Sequence, residues 1–310
     1  MTRAPRFAII DVPSALGLRP SGVQDMPAAL RRTGLAQELG AVDAGRIDPP
    51  SYSAERDPET LLLNGPALRD VSRALASLIQ ASVGRGEWPV VLAGDCSVVL
   101  GATLALRKLG AGQGGLDVQR FGLLFLDGHV DFYQPEASPT GEVADMDLAL
   151  ATGRGPSVLA DIDSLRPYVA DADVVAFGAR DAEERTAAGS QDVRDTAITV
   201  LELNEVRALG IDRAADNAVS HLARRGMAGF WVHIDADVLD DAVMPAVDYR
   251  RADGLSPAEL TTVLRRAMRS GLAVGASVAI YNASLDPGGI AGRALAGAVR
   301  SGLLQADHET

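Results

Sequence analysis

The sequence has little cysteine, few aromatic residues and a shortage of positive charge. Its only cysteine, Cys96, leaves no partner for an intrachain disulfide, which is typical of a reducing compartment. Aromatic residues make up 4% of the 310, too few for the stacking platforms that bind single-stranded nucleic acid. Because 29 Lys and Arg stand against 41 Asp and Glu, the net charge is −12, which disfavours a phosphate-binding surface. We therefore expect no nucleic-acid partner.

Long hydrophobic runs are also missing near the amino terminus. The first apolar run covers residues 7–10 and is followed by Asp11. A run of this length is too short for a secretion signal or a membrane span. We therefore expect a cytoplasmic protein with no membrane association.

Short apolar runs alternate along the chain with longer stretches that carry apolar residues at helical spacing. This alternation predicts an α/β protein, and strands that are apolar throughout predict a parallel sheet covered on both faces. No repeat or linker-like break interrupts the pattern, so we expect a single domain over residues 1–310. The expected strands are 7–10, 89–92, 122–126, 174–177, 198–201, 230–234 and 273–280, and the expected helices are 59–83, 98–108, 211–225 and 257–269.

Acidic residues crowd the positions directly after some of these runs, where parallel sheets bind ligands. Asp127, His129 and Asp131 alternate after one run, so an extended segment projects all three side chains to one side. Asp235 and Asp237 repeat this spacing after another run. Four clustered carboxylates repel one another and require a compensating charge, which two divalent ions such as Mn²⁺ supply. Taken singly, each aspartate is equally a turn former at a strand end.

These motifs resemble those of the ureohydrolase family, which contains the arginases and agmatinases. The D-A-H-x-D motif of that family corresponds to residues 127–131, and its D-x-D motif corresponds to residues 235–237. Its G-G-D-H-S motif corresponds to residues 93–97, and its G-L-R-D segment resembles residues 178–181. The resemblance runs, in the family's order and spacing, from about residue 90 to residue 290.

The resemblance implies a three-layer αβα sandwich around a mainly parallel sheet, as in arginases and deacetylases. It also implies a dinuclear manganese site with a bridging hydroxide that attacks a guanidino or amidino carbon, and a homo-oligomer, either a trimer or a hexamer. In this scheme Asp127 and Asp235 bridge both ions, while Asp131 completes the first site and helps to move a proton. His129 and Asp237 complete the second site.

Cys96 stands where the family motif has a metal-binding histidine. A thiolate can still bind a metal ion, and its softness shifts the preference from Mn²⁺ toward Zn²⁺ or Fe²⁺. Alternatively, Cys96 is a small buried residue that fills the space of the missing ring. The sequence leaves both interpretations open.

The positions that bind the substrate in this family differ in this sequence as well. Comparison along the loop after Asp131 places Ala144 where arginases have a proton-shuttling histidine, and Glu142 where they have an asparagine that binds the substrate carboxylate. A glutamate there repels an α-carboxylate and attracts a cation, unless the loop drifts and Glu142 points into solvent. Ile280 replaces a glutamate that binds the guanidinium group. The other expected substrate-binding residues are Thr140 and Glu183.

Together, these patterns predict a metal-dependent hydrolase of a linear carbon–nitrogen bond in a small molecule. Because the guanidinium-binding carboxylate is missing, candidate substrates include guanidino, hydroxyguanidino, ureido, formimino and related amide compounds. Two alternatives stay open. In one, Cys96 is a nucleophile near a helix N-terminus. In the other, the chain is a catalytically impaired arginase-fold protein that acts as a binding or structural subunit.

Overall fold

Within residues 5–111 and 119–304, which this computed structural model describes, eight parallel strands form one sheet. The strands are β1 (Arg6–Val12), β2 (Val42–Arg46), β3 (Glu87–Ala93), β4 (Arg120–Leu126), β5 (Val174–Phe177), β6 (Thr199–Leu201), β7 (Met227–Asp235) and β8 (Ala273–Ala279). Their order across the sheet is β2-β1-β3-β8-β7-β4-β5-β6. The four central strands are therefore β3, β8, β7 and β4, and they are largely buried.

Helices cover both faces of this sheet. In the described part of the chain they are α1 (Met26–Arg32), α2 (Leu35–Glu38), α3 (Gly65–Gly84), α4 (Val98–Gly110), α5 (Asp147–Ala151), α6 (Ser157–Ala160), α7 (Ala182–Ala187), α8 (Leu203–Leu209), α9 (Ile211–Leu222), α10 (Pro257–Arg269) and α11 (Ile290–Leu303). Helices α3 to α6 pack together, and α1, α2 and α8 to α11 form a second packed group. None of the helices described here is long and apolar enough to cross a membrane.

The predicted α/β class with a parallel sheet is confirmed, and the structure forms the expected three layers. Each expected strand is present, and α10 begins with the capping box that Ser256 and Glu259 form, with Pro257 in the first turn. Strand β2 was not expected, because this half-exposed edge strand has no apolar run. Helix α3 begins at Gly65 and not at residue 59, since Asn64 has a left-handed backbone and proline enters the first turn.

Candidate metal centre

Neighbouring strands bring the predicted metal-binding residues to one edge of the sheet. Leu126 of β4 lies in register with Ile234 of β7, so the residues that follow, Asp127 and Asp235, lie side by side. Adjacent strands are about 4.8 Å apart, which places the two carboxylates together. Cys96 follows β3, on the far side of β8 from β7. The edge thus unites residues that are far apart in the sequence.

Asp127, His129 and Asp237 form one part of the cluster, which we call the histidine half. Ligand atoms of the three residues all lie within 4.8 Å of one another. His129 Nδ1 lies 2.9 Å from Asp237 Oδ2 and 3.7 Å from Asp127 Oδ1. Burial lowers the pKa of His129, but the two carboxylates outweigh it and raise that pKa well above its ordinary value. An imidazolium therefore partly neutralises this half when no cation is bound.

Asp237 is held in place by its surroundings. The Gly128 N–H donates to its Oδ1 at 2.9 Å, and Arg180 Nη2 donates to its carbonyl oxygen at 2.8 Å. A Cβ at Gly128 would lie 2.5 Å from Arg180 Nη1, so this close approach favours glycine. Burial raises the pKa of Asp237, but the contacts with His129 and Gly128 outweigh it and lower that pKa to about 2. The side chain is thus a carboxylate that is oriented before any ligand binds.

Cys96, Asp131 and Asp147 form the other part, which we call the cysteine half. Their ligand atoms also lie within 4.8 Å of one another, and Cys96 Sγ lies 3.9 Å from Asp131 Oδ2. Burial first, and then neighbouring carboxylates, raise the pKa of the Cys96 thiol and of both acids. In contrast to the histidine half, this set of three contains no cationic side chain. Without a cation these groups are therefore neutral, and their ionisation requires a positive charge from outside the set.

A second histidine lies against the two central carboxylates. His233 precedes Asp235 by two positions on β7, so both side chains point to the same side of the sheet. Its Nδ1 forms a 2.7 Å hydrogen bond with Ser277 Oγ, and its ring lies within 4.8 Å of carboxylate oxygens of Asp127 and Asp235. Burial lowers the pKa of His233 to about 3, so the ring is neutral. The predicted set of ligands did not include this residue.

Several buried polar atoms in the cluster have no hydrogen-bond partner within the described structure. They are Asp127 Oδ2, His233 Nε2 and both carboxylate oxygens of Asp147. Buried polar atoms are normally paired, so unpaired atoms that converge on one place indicate a missing ligand. Carboxylates with imidazole and one sulfur are donors that divalent transition-metal ions accept. The residues present therefore fit the two cations that the sequence predicts.

A pocket opens directly onto this cluster, and Glu142 lines it. Glu142 is only 5% exposed, and its Oε2 accepts a 2.7 Å hydrogen bond from Tyr249 OH. The residue therefore does not point into solvent, which was the alternative left open by the sequence. Thr140 also lines the pocket, with Oγ1 3.3 Å from Asp145 Oδ2. The lining comprises Leu18, Cys96, His129, Asp131, Tyr133, Pro139, Thr140, Glu142, Ala144, Asp145, Asp181, Glu184, Asp235, Asp237, Tyr249 and Ile280.

Two residues at this pocket have a left-handed backbone that side chains rarely adopt. Ile280 has φ of 74° directly after β8, and its N–H donates to Gly94 O at 2.9 Å. Asp131 has φ of 49°, and its carbonyl accepts hydrogen bonds from the N–H groups of Leu148 and Ala149. Such conformations persist where surrounding contacts enforce them, and they cluster at functional sites. Ile280 lines the pocket, so an apolar side chain lies where the family pattern has a glutamate.

Glu183 lies elsewhere. It is exposed at the start of α7 and belongs to a separate surface pocket with Arg207 and Arg250, and it is not part of the lining beside the cluster. Glu184, the next residue, does line that pocket, and it pairs with Arg251 at 2.6 Å. Glu184 lines both pockets, whereas Glu183 lines only the one away from the cluster, because successive residues of a helix point about 100° apart.

Asp147 and Tyr249 are the site residues that the sequence did not single out. Asp147 begins α5, whose residues are all buried, and a lone acid inside an apolar segment is the signal that could have revealed it. Tyr249 lies more than 100 residues from Glu142, its partner, so no local pattern connects the two.

Comparisons with known proteins agree with this geometry. The model of the arginase family matches residues 5–304. The arginase of Staphylococcus aureus strain COL is 29% identical over 263 residues, which are 83% of each chain. The solved structure of Bacillus caldovelox arginase superposes with a TM-score of 0.86 at 25% identity, over 98% of this chain and 100% of that one. A crystal structure of Bacillus cereus arginase gives 0.84 at 25% identity, with the same coverage.

An α/β fold with a carboxylate-rich cluster at one edge of its parallel sheet defines a class of candidate metal-dependent proteins. Within that class, this chain belongs to the arginase family.

Proposed function

We propose that the protein is a metal-dependent hydrolase of a linear carbon–nitrogen bond in a guanidino compound or a related hydroxyguanidino, ureido, formimino or amide compound. Membership of the arginase family supports hydrolysis of linear amidines. The observation that carries the proposal is the convergence of both halves of the cluster at the base of one pocket. The expected dimanganese content, the trimer or hexamer and the cytoplasmic location stay predictions.

The three groups of candidate metal-binding residues suggest a role for each residue of the cluster. Asp127 and Asp235 lie between the two halves and would hold both ions, with His129 and Asp237 on one side. When bound, divalent ions neutralise the carboxylates and lower the pKa of water toward neutrality. Asp131 faces the pocket with its backbone fixed by the start of α5, so its carboxylate can hold a proton and pass it to the leaving nitrogen.

Proton transfer would rest on Asp131 because the shuttle position is Ala144, a residue without a titratable group. Ala144 lines the pocket, and its carbonyl oxygen accepts from the Cys96 thiol at 3.4 Å. Cys96 is surrounded by carboxylates, which together with burial raise the pKa of its thiol. Such a thiol is a poor nucleophile unless a cation stabilises the thiolate. These surroundings favour Cys96 as a metal ligand over Cys96 as a nucleophile.

The charge of the pocket suggests what the distal part of the substrate carries. The residues that line this pocket in the described structure include seven acids and no Lys or Arg. Four of the acids belong to or adjoin the cluster, whereas Glu142, Asp145 and Glu184 lie farther along the lining. Carboxylates repel a substrate α-carboxylate and favour an ammonium or amidinium group. The substrate we propose therefore has a second cationic group and no carboxylate near it.

A panel of paired substrates tests this proposal. Guanidino, hydroxyguanidino, ureido and formimino compounds, each with either a terminal amine or an α-amino acid head, are assayed with the metal-loaded protein. We expect the amine series to have the higher kcat/KM. Replacement of Glu142 by Gln should reduce that preference about 10- to 100-fold, since hydrogen bonds to charged groups contribute about 1.5–3 kcal/mol.

The control variant is Glu183→Gln, which changes an exposed glutamate outside this pocket and should leave the preference unchanged. A preference for the amino-acid series would overturn the proposed charge of the substrate. If the metal-loaded protein hydrolyses no member of the panel, the hydrolase proposal fails, and a non-catalytic binding role replaces it.

A further inference from the structure

The cysteine half contains a fully buried acid that has no cationic partner within its three-residue set. Asp147 is 0% exposed, and both of its carboxylate oxygens lack a hydrogen-bond partner in the described structure. An aspartate at the N-cap position usually accepts hydrogen bonds from the first N–H groups of a helix, but in α5 this position is Met146. The N–H groups of Leu148 and Ala149 instead donate to the carbonyl oxygen of Asp131, at 3.1 and 3.3 Å. Asp147 is therefore not a helix cap.

The same contacts fix Asp147 against the metal cluster. Two N–H groups of α5 donate to the carbonyl oxygen of Asp131, so these hydrogen bonds link the first turn of that helix to the backbone of Asp131. The carboxylate of Asp147 lies within 4.8 Å of both Asp131 and the Cys96 sulfur. An unpaired buried carboxylate is unfavourable by several kcal/mol or takes up a proton, unless a cation lies beside it.

We propose that Asp147 is a metal ligand, and that it binds the first cation together with Cys96 and Asp131. This inference rests on the metal dependence proposed above, and it names a residue that the D-x-H-x-D and D-x-D motifs do not contain. Cysteine has a shorter side chain than histidine, so a cation near Cys96 has room on the side where Asp147 lies. The carboxylate supplies the donor that the missing imidazole would have provided.

The separations suit one cation. Zinc lies about 2.3 Å from sulfur and about 2.1 Å from carboxylate oxygen, so a tetrahedral site puts sulfur and oxygen about 3.6 Å apart. Cys96 Sγ and Asp131 Oδ2 are 3.9 Å apart, which a small adjustment of either side chain brings into range. A site with one sulfur and two carboxylates prefers Zn²⁺, Fe²⁺ or Co²⁺ more strongly than the histidine half does. The two halves should therefore differ in metal preference.

Cobalt titration tests this assignment. Chelator-treated full-length protein is titrated with Co²⁺, whose bond to a thiolate gives a charge-transfer band in the near ultraviolet. Bound cobalt per chain is measured by elemental analysis. We expect two equivalents and the sulfur band for the unmodified protein. Asp147→Asn should weaken the sulfur-linked equivalent at least about 10-fold, because even residues behind a ligand typically change affinity 10- to 100-fold.

Three further variants separate a ligand from a merely structural residue. Cys96→Ser should abolish the band, and His129→Asn should weaken binding of the other equivalent about 10- to 100-fold while the band stays. Asp145→Asn changes a half-buried acid two positions from Asp147, outside the three-residue cluster, and should leave both equivalents in place. Retention of the histidine-half equivalent by Asp147→Asn shows that the variant is folded.

The outcomes distinguish this inference from the proposed function. If Asp147→Asn binds both equivalents with unchanged affinity and an unchanged band, Asp147 is not a ligand, whatever the enzyme hydrolyses. If the unmodified protein shows no sulfur band, the assignment of the whole cysteine half is overturned. If it binds two equivalents with the band but hydrolyses no substrate of the panel, the ligand assignment stands and the proposed function falls.

Discussion

The two halves of the cluster are built from different chemistry although they share one edge of the sheet. In the histidine half, Asp237 and His129 form an ion pair, the Gly128 N–H donates to the Asp237 carboxylate, and the Arg180 guanidinium donates to the Asp237 carbonyl oxygen. In the cysteine half, the carboxylate of Asp147 has no partner, and the thiol donates weakly to a carbonyl oxygen. One half contains an ion pair without a cation, whereas the acids of the other half keep their protons until a cation replaces them.

On the assignment of Asp147 proposed above, the cysteine half would keep its number of donors although it lacks the family's histidine. The histidine half keeps the donor types of the family motif, while the cysteine half pairs a softer donor with an additional acid. The predicted consequence is two cations of unequal affinity and unequal metal preference.

The largest effect is expected from a substitution that weakens binding of both cations at once. Asp127 belongs to the histidine half and lies beside Asp235, so Asp127→Asn should release both cations and lower kcat/KM more than about 100-fold. Metal analysis and kinetics on the same preparation measure this. Asp241→Asn, at a carboxylate paired with Arg250 on the surface, should change neither quantity. Two retained cations in Asp127→Asn would show that the halves do not share this residue.

A substitution confined to the histidine half should lower the affinity for one cation and leave the affinity for the other unchanged. His129→Asn removes the nitrogen donor and the positive partner of Asp237, so one cation should bind about 10- to 100-fold more weakly while the other is unaffected. Calorimetric titration with Mn²⁺ and with Zn²⁺ gives the two constants. Equal weakening of both sites would mean that the cluster acts as one unit.

The chelated protein should become less stable as the pH rises. Burial raises the pKa of Asp127 to about 7, and it also raises the pKa values of Asp131 and Asp235, the buried acids beside it. Each acid is protonated in the folded state at a pH where it is ionised when unfolded. The stabilisation that each acid contributes to the free energy of unfolding is therefore complete below its pKa in the unfolded chain. It is lost as the pH rises through its pKa in the folded protein.

Urea unfolding measures this effect directly. Between about pH 4 and about pH 7 the free energy of unfolding of chelated protein should fall by at least about 3 kcal/mol, because each pKa unit corresponds to about 1.4 kcal/mol. Saturating Mn²⁺ or Zn²⁺ should reverse the trend, because a cation that binds only the folded state stabilises it and favours the ionised acids. A chelated protein whose stability rises over this range would show that the acids are not buried together.

The smallest expected effect concerns Asp147 alone. Asp147→Leu replaces an unpaired buried acid by an apolar side chain, so the chelated protein should gain about 1 kcal/mol of stability, at the low end of the range for such replacements. Metal should then stabilise the variant less than it stabilises the unmodified protein. Thermal unfolding with and without cation checks both statements, and a loss of stability in the chelated variant would contradict the first.

Much of the fold could be predicted because the signals are local. The apolar runs that form β3, β4 and β7 identify buried parallel strands, and the alternation of Asp127, His129 and Asp131 places three polar side chains at a strand end. Strand β2 could not be predicted, since an edge strand is only half buried and needs no apolar run.

From the sequence alone follow the parallel sheet and the edge at which most of the candidate metal ligands lie, because apolar strand runs and the carboxyl ends of parallel strands place them. The tertiary structure alone decided which loops return to that edge. It moved Glu142 into the pocket against Tyr249, left Glu183 outside it and turned Asp147 toward Cys96. Local spacing specifies which way a side chain points from its own element, whereas contacts between distant segments depend on how those elements pack.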